Sequence, residues 1–68
     1  MSHRKQAKRL IELYREGSDL TEDQDHVLNN TAAEHGQMLD NVVATQFFQD
    51  ALTENIEALG GINENDLI

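Results

Sequence analysis

The sequence predicts an all-α fold, a small helical bundle of three or four segments. Three observations lead there. The chain contains no proline, so the commonest helix breaker is missing. Its apolar residues recur at spacings of three and four rather than in alternation. Glycines and Ser/Thr capping signatures stand where those runs begin and stop. β-branched residues are scattered, and the aromatic residues are Tyr14, Phe47 and Phe48.

The first helix is expected over about 3–16. Ser2 is its candidate N-cap. Ala7, Leu10, Ile11 and Tyr14 fall at i, i+3, i+4 and i+7, one face of a helix, and Leu13 broadens that face. Gly17 supplies the stop. Arg15 suits the negative helix C-terminus, whereas Arg4 and Lys5 lie in the first turn, where cations are unfavourable. Either that cost is tolerated or those side chains make a contact.

A second helix is expected over about 22–28. Thr21 and Gln24 form a capping-box pattern, and Glu22 and Asp23 suit a positive N-terminus. The pair Asn29-Asn30 marks an expected end. Thr31 and Glu34 make a second capping box, so a third helix is expected over about 32–59, stopped by Gly60-Gly61. Gly36 is a weak point near its start, worth about 1 kcal/mol against alanine. A straight helix of that extent spans about 42 Å, long for so small a domain. Its apolar stripe also changes direction. Ala32, His35, Leu39, Val42 and Val43 share one heading; Phe48, Leu52, Ile56 and Leu59 share another. Two readings follow: the helix bends or breaks near 44–47, giving a four-segment bundle, or it stays straight and packs one half against its own chain and the other against a second molecule. Residues 1–61 are read as one helical domain, and residues 62–68 as a flexible tail.

Charge is sorted along the chain. All five Lys and Arg lie in the first sixteen residues, beside Glu12 and Glu16. The other eleven of the thirteen acids follow without a base, and the formal net charge is −8. A bulk charge of that sign opposes coating of nucleic acid or an anionic membrane by the whole protein. No apolar run approaches the ~18 residues of a membrane span. There is no cysteine, so disulfides and thiolate metal sites are excluded, and the reading is cytoplasmic. A chain of 68 residues buries a marginal core, and small folds often lean on a partner.

Tools for catalysis are absent from the pattern. No hydroxyl pairs with a histidine in a nucleophile–base arrangement. His3, His26 and His35 show no i, i+4 pair and no HExxH motif. The acid-rich stretch 19–30 lacks the glycine and the final glutamate of a calcium loop. His35, on the apolar stripe, reads as a core histidine. No enzyme activity, metal or cofactor is expected, and no stretch carries a motif specific to a family.

Two functional readings follow. The first is a small non-enzymatic protein–protein interaction module, self-associating or binding a larger partner through an apolar helix face. That face is Phe47, Phe48, Leu52, Ile56 and Leu59, which has no evident complement of equal size in one chain. The alternative is a regulator of nucleic-acid transactions. It would act through a basic face of Arg4, Lys5, Lys8 and Arg15 on nucleic acid. Or it would act through Asp50, Glu54 and Glu57, whose helical spacing resembles that of phosphates along a strand. Nucleic acid is the less favoured partner, and no membrane is expected.

Overall fold

A computed structural model describes residues 1–67, and within them every regular element is helical. In chain order these are α1 (His3–Glu16), α2 (Glu22–Glu34), α3 (Leu39–Val42), α4 (Gln46–Ala58) and a closing 3-10 turn (Glu64–Leu67). None of these helices is long and apolar enough to cross a membrane.

Local chemistry sets the boundaries. The Ser2 side chain accepts from the Lys5 amide and opens α1. At Thr21 the capping box is complete: its hydroxyl accepts from the Gln24 amide, and the Gln24 side chain accepts from the Thr21 amide. Thr45 serves two elements. Its hydroxyl donates to the Val42 carbonyl at 2.7 Å, ending α3, and accepts from the Phe48 amide, opening α4.

The middle of the chain differs from the expectation in one respect. Helix α2 does not end at Asn29-Asn30 but continues to Glu34. Asn29 is exposed and donates its amide to the Asp25 carbonyl and carboxylate, one turn back on the same helix. Thr31 is no cap; its buried hydroxyl donates to the Val27 carbonyl at 2.7 Å. Val27, Leu28, Thr31 and Ala32 form one buried stripe across the asparagines, and burial outweighs their weak helix propensity. The break comes at Gly36, whose φ of 64° is a left-handed conformation that favours glycine. There the Gly36 and Gln37 amides donate to the Ala33 and Ala32 carbonyls, the Schellman pattern. The expected bend is a full interruption: α3 ends at Val42 and α4 begins at Gln46.

Helix α1 packs most extensively on α4, and α2 also packs on α4. The centre is Leu10, Leu28, Phe48, Leu52, Ile56 and Leu67, each no more than 1% exposed. The tail is the second correction. Instead of hanging free, residues 62–67 are tied down by four side-chain-to-backbone hydrogen bonds and by the Met1 amino group on the Glu64 carboxylate. Gln6, 3% exposed, both donates to the Ile62 carbonyl (2.9 Å) and accepts from its amide (3.1 Å). Arg9 donates to the Leu67 carbonyl at 2.8 Å, and Gln24 to that of Asp66 at 3.1 Å. Gly61 makes the approach possible. A Cβ there would lie 3.3 Å from the His3 ring and 3.4 Å from Gln6 Oε1. Ile68 lies outside the described residues.

Candidate functional site

Of three concavities of similar volume among the described residues, the most enclosed is a groove of about 540 Å³ between α2, the C-terminal half of α4 and the tail. The α2 wall is the row Asp23, Val27, Asn30 and Glu34, with His26 beside it. These positions are spaced i, i+4, i+7 and i+11, so they line one helix face over about 16 Å. The opposite wall is Asn55, Ala58 and Leu59 from α4. Ile62, Asn63 and Asp66 close one end. Two clamps set the width. Asn55 donates to Thr31 Oγ1 at 2.7 Å and to Glu34 Oε1 at 2.9 Å, joining α4 to α2. Gln24 joins α2 to the tail through its bond to the Asp66 carbonyl.

The groove has a consistent character. Its floor offers Val27, Ala58, Leu59 and Ile62. Its rim carries the carboxylates of Asp23, Glu34 and Asp66 and no Lys or Arg. No residue of α1 lines it, which keeps all five cations of the chain off its walls. Leu59 is 63% exposed, a large apolar side chain standing in water beside it.

The expected apolar docking face divides. Phe48, Leu52 and Ile56 are each 0% exposed. Their complement is present in the same chain, because α1 and α2 both pack on α4 and these residues join one buried cluster; that part of the face is core. Phe47 and Leu59 remain outside, 48% and 63% exposed. Twelve residues apart on α4, they are separated by about 18 Å along the axis and about 120° around it. They do not form one patch. Phe47 meets His35 edge to face at 5.3 Å. His35 is therefore an exposed residue at the end of α2 rather than a core histidine.

The charged faces meet each other. Arg4 Nη1 donates to Asp50 Oδ1 at 3.0 Å, which gives one first-turn cation of α1 its contact. The Arg4 guanidinium, and after it the Gln46 amide, hold the Asp50 carboxyl below its ordinary value. His3 Nδ1 lies 4.0 Å from Glu57. The row Asp50, Glu54 and Glu57 is exposed on α4 but runs beside the start of α1, with a cation at Asp50. Lys5, Lys8 and Arg15 are exposed along α1. Arg9 reaches Glu12 and Glu16 on its own helix. Elsewhere the Tyr14 hydroxyl donates to the Asp40 carboxylate, linking α1 to α3. That hydrogen bond raises the phenol above its ordinary value.

Sequence reasoning placed Leu59 at the site and missed Asn30, Asn55, Ile62 and Asp66. A signal existed for Asn30. Once α2 is continuous, Asp23, Val27, Asn30 and Glu34 read as one face; a break at Asn29-Asn30 hides it. Compared with known protein families, with curated proteins and with solved structures, the chain matches none.

Proposed function

We propose that this protein is a small non-enzymatic interaction module. Its working surface is the groove between α2, α4 and the tail, where a segment of a partner protein docks. The observation that carries this reading is the exposed Leu59 in a walled groove whose other apolar lining is Val27, Ala58 and Ile62. Lone exposed apolar side chains are ordinary, but one at the lip of a groove has somewhere to deliver a contact.

The polar groups argue for docking rather than chemistry. Gln24 and Asn55, the donors that bridge the groove, are already spent on the fold, while Asn30, Asn63 and His26 stand exposed along its length. Among the described residues no buried side-chain nitrogen or oxygen lacks a partner. The walls thus offer apolar contact, exposed amides and peripheral charge, a mixture suited to docking a segment of chain.

A photo-crosslinking residue at Ala58, on the groove wall, tests the reading. A second at Ala44, exposed between α3 and α4, serves as the reference. Expected is capture of a defined partner from cells at position 58 and not at 44, abolished by Leu59→Glu. Equal capture at both positions, or none at 58, overturns the proposal.

A further inference from the structure

We infer that the segment taken by this groove is a cationic amphipathic helix of about three turns carrying one apolar anchor, an inference that rests on the docking reading above. Charge complementarity selects the sign. Asp23, Glu34 and Asp66 stand on the rim with no fixed cation among the lining residues, and the whole chain adds a net charge of −8. An approaching acidic segment is repelled both at long range and at contact; a basic one is steered in.

Shape selects the rest. The Asp23–Glu34 row runs about 16 Å along α2, the length of about eleven helical residues. Val27, Leu59 and Ile62 line the same groove as the carboxylates, so one apolar side chain of the partner meets them while its basic neighbours meet the rim. This is the helix-in-groove mode, with an apolar anchor giving affinity and flanking charge giving orientation.

A second copy of the chain fits less well. Its cations all lie on α1, whose apolar face of Ala7, Leu10 and Ile11 is already buried. That helix offers charge without an anchor, and two copies each carrying −8 repel.

The test uses three synthetic peptides of twelve residues. One is a helix-forming peptide with a central leucine flanked by lysine and arginine. The second replaces the bases by glutamate, and the third replaces the leucine by serine. Binding to the intact protein is followed by amide chemical-shift mapping and calorimetry. Expected is saturable binding of the first peptide, with shifts centred on Val27, Leu59 and Ile62. Binding should weaken about tenfold in the variant Asp23→Asn/Glu34→Gln/Asp66→Asn, since three exposed ion pairs of modest strength are lost. It should weaken similarly between low and high salt. The glutamate and serine twins should not bind at the same concentrations. Glu34→Gln keeps the carbonyl that Asn55 bonds, and thermal melts confirm that the variant folds.

Equal binding of the basic and acidic peptides overturns the inference, as do shifts outside the groove. So does a concentration-dependent dimer that covers the groove. Capture at Ala58 of a partner whose docked segment is not basic also overturns it, while leaving the docking function intact.

Discussion

Tyr14 shows how one residue reports on the packing of two elements. It is the only tyrosine, so its phenolate absorbance can be read without interference. In the fold its hydroxyl donates to Asp40, which raises its pKa above 10.0, with burial and the Asp40 charge adding in the same direction. Deprotonation would place a phenolate against a carboxylate. Because the folded value is raised, the stabilisation is fully present below the ordinary phenol value and is lost as pH rises through the folded one. A spectrophotometric titration should give a midpoint above that of free tyrosine, moving back toward it in Asp40→Asn. A midpoint unshifted in the unmodified protein would mean that α1 and α3 are not joined there in solution. Gln6 works at the same scale with no charge at all. One buried amide satisfies both the carbonyl and the amide of Ile62, polar groups that are expensive to leave unpaired in a part-buried setting.

At the scale of elements, α2 is where local preference and burial disagree. Asn29-Asn30 are poor helix formers, yet Val27, Leu28, Thr31 and Ala32 need one continuous helix to reach the core together. Two substitutions separate the accounts. Asn30→Ala should stabilise by about 0.5 kcal/mol in chemical denaturation, since it improves propensity inside a helix. Gly36→Ala should destabilise by about 1–2 kcal/mol, since alanine resists the left-handed conformation that ends α2. The opposite ordering would place the break at the asparagines. Element starts were legible where a side chain caps locally, as at Ser2 and Thr21. The interruption before α4 was legible as a change in stripe direction. The true end of α2 was not, because a glycine inside an apolar pattern reads equally as a flaw in a helix or as its stop.

At the scale of the whole molecule, the sequence shows that Phe48, Leu52 and Ile56 require cover but not where the cover comes from. It comes from α1, some forty residues earlier, and from α2, while Leu67, in a segment that reads as polar and frayed, completes the same core from the α1 side. Periodicity describes a face; it carries no information about which distant segment lies on it. The acidic groove was hidden for the same reason, since it is assembled from α2, α4 and the tail together. The docked tail has a measurable consequence. Leu67 is 1% exposed, so Leu67→Ala should cost about 2–5 kcal/mol. In a domain of this size that corresponds to a thermal midpoint lower by roughly 10 °C or more. A free tail would leave the midpoint unchanged.

The bonds that fasten the tail join residues 42, 56 and 58 positions apart. The segment through Leu67 must therefore emerge from the ribosome before α1 acquires these neighbours. Until then the side chains awaiting Leu67 stay accessible to chaperones and to other nascent chains, and the search that ends this interval closes a loop of 58 residues.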